Sequence, residues 1–177
     1  INNDHRLKGI IVCAFLILCI FRERIFMKTQ LAIQLHNRKV FHHYLKQYSL
    51  EQLNKIPAGF NNNIMWNIAH TMVTHQLLMY KVSGNQMHIR VEWVKLFAKG
   101  TKPERSYTAE EVKEIDAALF STYEQFEKDL ASGLFANYTP YTTSTNMVLD
   151  SVETTQSFLL FHDGIHLGSV LALAKLV

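Results

Sequence analysis

The sequence predicts an all-α protein, a four-helix bundle, on three observations. Gly (7) and Pro (3) are too sparse among 177 residues to punctuate many short strands and turns. Four stretches carry apolar residues at helical spacing. One short and two long connections join them, which is the economy of a helical bundle with one core. Apolar residues make up 48% and charged residues 19%, a balance that supports a globular core rather than disorder.

The chain opens on an apolar run, Gly9 to Phe21, shorter than the roughly 20 residues of a bilayer span. Arg6 and Lys8 precede it as in a signal peptide, but Arg22, Glu23 and Arg24 follow where a small-residue cleavage site would stand. Met27 then opens "MKTQLAIQLHNRKVFHHYLKQ", which reads as a cytoplasmic start. Residues 1–26 are therefore expected to be an apolar leader or upstream extension outside the fold, and residues 27–177 the domain. An uncleaved membrane anchor is the alternative. Cytoplasmic localisation and no membrane partner are the expectation.

The first helix is expected from Lys28 to Tyr48, where Leu31, Leu35, Val40, Phe41, Tyr44, Leu45 and Tyr48 recur at near-helical spacing. Ser49 to Phe60 connects, with room for one helical turn before Pro57 and Gly59. Asn63 can cap the second helix, Ile64 to Val82, which Ser83-Gly84 ends. Asn85 to Ser106 is too apolar for a free linker, holding Trp93, Leu96 and Phe97, and is expected to pack across an end of the bundle. "TAEE" (Thr108 to Glu111) fits a capping box, opening a third helix to Ala131 whose inner stripe is Val112, Ile115, Leu119, Tyr123, Phe126 and Leu130. Gly133 ends it. A second long connection leads to the fourth helix, Ser151 to Leu176.

Several chemistries are excluded or unsupported. The formal charge of +3 comes without a basic block, so no nucleic-acid partner is expected. Cys13 and Cys19 are the only cysteines, and both lie in the leader. The domain therefore has no thiol nucleophile and no cysteine-based zinc site. There is no Gly-rich phosphate loop, no Gly-x-Ser-x-Gly elbow and no zinc-protease motif.

Nine histidines are the main clue. His162 and His166, four apart in "SFLLFHDGIHLGSVLALAKLV", share a helix row with Leu159, Val170 and Leu173 and point coreward. Burying an imidazole without a partner costs about 2 kcal/mol or more. Either nearby hydroxyls and carbonyls satisfy the pair, or the pair chelates a divalent transition metal with a third ligand from another helix. His70 offers that ligand, sharing its row with Trp66, Val73 and Leu77. His75 lies about 140° around the same helix and is expected at an edge or in solvent. His36, His42 and His43 are expected on the surface or at an edge. Asp163 is expected to be a solvated carboxylate, and Thr155, Gln156 and Ser157 are candidates to face the cavity. Gly164 and Gly168 bracket His166, which suggests close helix contact, room beside a metal, or simple packing. Three imidazoles would leave coordination positions open, the pattern of a catalytic zinc site. No catalytic general base is identified.

Three segments, "NNIMWNIAH" (Asn62 to His70), "LFAKGTKPE" (Leu96 to Glu104) and "FHDGIHLGSVLAL" (Phe161 to Leu173), make the chain from Met27 onward resemble the DinB-like (DinB/YfiT) superfamily. Asn63, Trp66, His70, His162, His166 and Gly168 fill its pattern. The resemblance implies a four-helix bundle in up-down-down-up order, a divalent ion, zinc or nickel, held by His70, His162 and His166, and frequent homodimers. Characterised relatives include bacillithiol and mycothiol S-transferases and a mycothiol-dependent maleylpyruvate isomerase. The expected function is a metal-dependent transferase using a low-molecular-weight thiol. A metal-dependent hydrolase and a non-catalytic metal- or ligand-binding bundle remain the alternatives.

Overall fold

Four long helices carry most of the chain in the computed structural model, which describes residues 2–177, with side chains from Ile25 onward. They are α1 (Asn2–Gln47), α3 (Ile64–Gln76), α5 (Ala109–Ala131) and α6 (Val152–Leu173), with the short helices α2 (Leu50–Asn54) and α4 (Val91–Phe97) between them. The protein is thus mostly helical, as expected. The leader expected over residues 1–26 falls on side chains outside the described residues, except Ile25 and Phe26, which are exposed. Among the described residues no helix is long and apolar enough to cross a membrane.

The helix starts follow from capping chemistry. Asn63 accepts from Trp66 N–H, and Ser151 accepts from Thr154 N–H. Ser49 with Gln52, and Thr108 with Glu111, form complete capping boxes at α2 and α5. Each side chain satisfies N–H groups that a helix end leaves without partners. Gly133, at φ 77°, follows the end of α5 in the left-handed region that glycine adopts at little cost.

α5 has the amphipathic stripe its spacing predicts, burying Ile115, Leu119, Tyr123 and Phe126. α3 differs in kind. Every one of its residues except Thr74 is buried, which marks a helix enclosed on all sides. It packs against α2, α4, α5 and α6. Beyond Gln76 the coil widens into a π turn, Leu77–Lys81, where Val82 N–H bonds the Leu77 carbonyl five residues back.

Both long connections hold structure that the sequence reading left irregular. α4 buries Trp93 and Phe97 against the core, consistent with a segment too apolar to hang free. Between α5 and α6, β1 (Tyr141–Thr142) and β2 (Val148–Leu149) pair antiparallel, Tyr141 opposite Leu149. At the tip, Asn146 takes φ 62°, a left-handed conformation that asparagine tolerates better than most residues.

Candidate metal centre

His70, His162 and His166 come together. Each offers a ring nitrogen, and the three nitrogens lie within 4.8 Å of one another. Ring centroids are 5.0 Å apart for His70–His162, 4.6 Å for His70–His166 and 4.5 Å for His162–His166. α3 supplies the first imidazole and α6 the other two, one turn apart.

The orientation of His70 begins at α4. The last carbonyls of a helix have no partner within it, and α4 spends two of them on α3. Leu96 O accepts from the Trp66 indole at 3.1 Å, and Phe97 O accepts from His70 Nδ1 at 2.5 Å. Thr101 Oγ1 also accepts from the indole, at 3.1 Å. The Trp66 ring stacks on the His70 ring, 4.6 Å between centroids and 11° from parallel. This joins "NNIMWNIAH" to "LFAKGT" physically: the second segment holds the aromatic residues of the first.

The hydrogen positions follow from these partners. A carbonyl can only accept, so His70 Nδ1 carries the ring hydrogen and Nε2 is left with an acceptor lone pair, 3.3 Å from the Thr74 hydroxyl. His166 is fixed through Asn67. The Asn67 amide nitrogen donates to Asn62 Oδ1 at 3.0 Å and to the Asn63 carbonyl at 2.7 Å. Its Oδ1 therefore accepts from His166 Nδ1 at 2.8 Å, which leaves His166 Nε2 unprotonated as well. His162 Nε2 sits 3.2 Å from His70 Nε2, while its Nδ1 is buried with no partner among the described residues.

The lone pairs of His70 and His166 are thus fixed by their partners, while the tautomer of His162 is fixed by none. Burial, with the neighbouring His70, pushes the His162 imidazole down to about 4. Burial, then His162 and His70, push His166 down to about 3. His70 is lowered by burial against the opposing pull of the Phe97 carbonyl. At neutral pH all three are uncharged, the form that binds metals. In a tetrahedral zinc site with bonds of 2.0–2.1 Å, donor nitrogens stand about 3.3 Å apart. The 3.2 Å between His70 and His162 fits that spacing. The donor set thus fits a transition-metal ion, and the three-histidine cluster could hold one.

A cavity of about 680 Å³ opens onto the imidazoles, walled by α3, the π turn, α6 and the β1–β2 tip. A larger one, about 850 Å³, lies between Asn61, Leu96 and Tyr107 and holds none of the imidazoles.

The other expected positions divide. His36 and His43 are exposed, and His42 is half-buried at an edge with Nδ1 2.6 Å from Asp116. His75 corrects the expectation of an edge or solvent position. It is 2% exposed and packs edge-on against Phe126, because an enclosed helix has no solvent face to offer. Asp163 is likewise not solvated. It is 3% exposed, with Asn37 donating to it at 3.5 Å, because α6 packs on α1 as well as on α3. Thr155 and Gln156 are buried away from the cavity, Gln156 donating to Gln34 of α1, and Ser157 accepts from Gln30. A Cβ on Gly164 or Gly168 would meet nothing within 4 Å, so neither marks a close helix contact.

The sequence reading missed Asn67, Thr74, the Phe97 carbonyl and the hairpin tip. Asn67 had a signal: a polar residue on an apolar helix, one turn before a candidate ligand. A backbone carbonyl leaves none.

A family model described as the DinB superfamily matches residues 35–170, most of the chain. No curated protein matches it.

Proposed function

The chain belongs to the DinB superfamily, and on that premise we propose that it is a metal-dependent enzyme whose ion, zinc or nickel, is bound by His70, His162 and His166. The observation that carries this reading is that His70 and His166 each turn an unprotonated Nε2 toward the cluster, fixed by a partner on the opposite ring nitrogen. Second bonds of this kind set the tautomer and aim of metal-ligating histidines. Asn67 and the Phe97 carbonyl orient the ligands, and Trp66 braces the His70 ring.

The scaffold is a four-helix bundle in up-down-down-up order. The register of cross-helix bonds supports this. Along α1 and α6, Gln30 meets Ser157, Asn37 meets Asp163 and Tyr48 meets Ala174, a parallel pairing. Asn67 meets His166 and His70 meets His162, so α3 runs against α6. Tyr123 meets Leu31 and Asp116 meets His42, so α5 runs against α1.

The favoured reaction is group transfer using a low-molecular-weight thiol. A divalent ion supplies a Lewis acid that favours the deprotonated form of a coordinated thiol. An external thiol suits a domain that has no cysteine after Cys19. Metal analysis of protein purified without chelators tests the metal reading. About one ion per chain is expected in the wild type and almost none in His70→Ala; equal contents would overturn it. Metal-loaded protein is then screened with a panel of small thiols and an electrophile. Thiol-independent turnover of an ester or amide would replace the transferase with a hydrolase.

A further inference from the structure

We propose that the cavity in front of the imidazoles takes an amphipathic anion: a small molecule with an apolar body and one carboxylate, met by Lys81 and Lys99. The inference rests on the imidazole cavity being a small-molecule site, and it names the chemistry that site selects.

Charge comes first. Besides the three imidazoles, the ionisable side chains on the cavity wall are Lys81, Lys99 and the phenol Tyr141. Among the described residues no Asp or Glu lines it. Elsewhere on the described surface three basic groups are met by acids, Lys46 by Asp116, Arg90 by Glu114 and Arg105 by Glu111. Around the cavity two cations from different elements share one space with no counter-charge on its wall. A cleft of one sign concentrates ligands of the other and rejects its own.

The walls come second. One face of α3 and its π turn presents His70, then Thr74, then Leu77 and Leu78, then Lys81. Successive positions three or four apart lie on one face, so imidazole, hydroxyl, apolar surface and ammonium follow one another along it. Opposite, α6 gives Phe158, Phe161 and Ile165. Phe161 is 61% exposed and Ile165 50%, large apolar side chains left in water beside a cavity. An apolar ligand body would cover them and regain burial energy. Lys99 lies two residues beyond Phe97, whose carbonyl holds His70, so one cation sits close to the ligand cluster in the chain and the other three turns along α3. Thr143, Ser144 and Thr145 of the hairpin tip add hydroxyls that bond a carboxylate as readily as an alcohol, and so do not decide the sign.

Calorimetric titration with 4-phenylbutyrate, 4-phenylbutanol and 4-phenylbutylamine tests this, since the three probes share a body and differ in end group. Each is titrated into wild type and into Lys81→Met/Lys99→Met, both metal-loaded and metal-stripped. A carboxylate can bind a metal directly, so the stripped protein isolates the lysines. The wild type is expected to prefer the carboxylate over the alcohol by about tenfold and to bind the amine weakest. The double variant, both changes being on exposed side chains, should lose that preference while keeping its affinity for the alcohol. Equal affinity for carboxylate and alcohol in stripped wild type, a preference that survives loss of both lysines, or binding of none of the probes would each overturn the inference. A preference that persists in a protein that never takes up metal would leave this inference standing and sink the metal reading alone.

Discussion

Two polar clusters lie on either side of α6, and the less buried one is the better organised. On the cavity side, His70 and His166 are each held by a specific acceptor, and their side chains line the cavity. On the inner side, Arg38 of α1, His75 of α3 and Gln156 and Asp163 of α6 are buried almost completely. Yet Arg38 Nε and Nη1, both His75 nitrogens and Gln156 Oε1 have no partner among the described residues. Buried polar groups ordinarily find partners in protein or ordered water. Burial alone therefore does not mark the candidate centre. What distinguishes it is that one atom of the His70 ring and one of the His166 ring are committed so that the other is aimed.

The strongest way to separate the clusters is to change one without the other. Burial pushes the Asp163 carboxyl up to about 6, against the pull of Arg38 and the hydrogen bond from Asn37. A carboxyl whose folded pKa lies above its unfolded value costs stability once pH exceeds the unfolded pKa, about 4. Breaking a tight buried ion pair would cost about 3–5 kcal/mol, but no ion pair within 4 Å joins Arg38 to Asp163 among the described residues. Desolvation should then win. Asp163→Asn is expected to stabilise the protein at pH 7 by about 3 kcal/mol in urea unfolding, at 1.36 kcal/mol per pKa unit. The gain should fade below about pH 4, with metal content unchanged. A loss of stability would mean that the guanidinium depends on that carboxylate.

The reverse experiment touches the cavity cluster and leaves the inner one in place. Asn67→Ala removes the acceptor from His166 Nδ1 and frees the ring to turn. Loss of such a partner typically lowers metal affinity about 10–100-fold. Competition with a chelator should read that loss, while metal-free stability falls by about 1–3 kcal/mol, since the His166 Nδ1–H loses its acceptor. Unchanged affinity would show that packing against Trp66 orients the rings without Asn67.

Legibility in the sequence followed the same division. Caps are local chemistry, so Asn63 and the Thr108–Glu111 box marked helix starts from residues alone. The imidazoles of α6 were legible because four-residue spacing fixes a common direction. His75 and Asp163 were not, because a residue's burial depends on how many neighbours its helix has. One inward stripe describes α5, but α3 is covered all round. α4 was hidden for another reason. A helix of 7 residues is not stable alone and exists through the burial of Trp93 and Phe97. The hairpin, two residues to a strand, depends equally on its surroundings. These tertiary elements supply the Phe97 carbonyl, Lys99 and the hydroxyl tip, so the candidate ligands were readable and their setting was not.

The smallest expected effect is the most direct probe of the inner cluster. Burial, then the charge of Arg38, hold the His75 imidazole well below its usual range, so it is neutral in the fold. Below the unfolded value of about 6.5 the unfolded chain takes up a proton there and the folded chain does not. Stability must then fall as pH falls, by at most about 1.36 kcal/mol per unit from this one group. His162 and His166 add slopes of the same sign, and Asp163 opposes them between about pH 4 and 6. A difference is therefore needed. His75→Leu keeps an apolar contact for Phe126 and removes two unpartnered nitrogens, so it should match or exceed wild-type stability at pH 8. Its advantage should widen steadily as pH drops below 6.5. Parallel curves would mean that the imidazole takes its proton inside the fold, which requires an acceptor within reach. Ordered water between Arg38 and His75 would then complete the inner network, and the contrast between the two clusters would become one of hydration rather than of organisation.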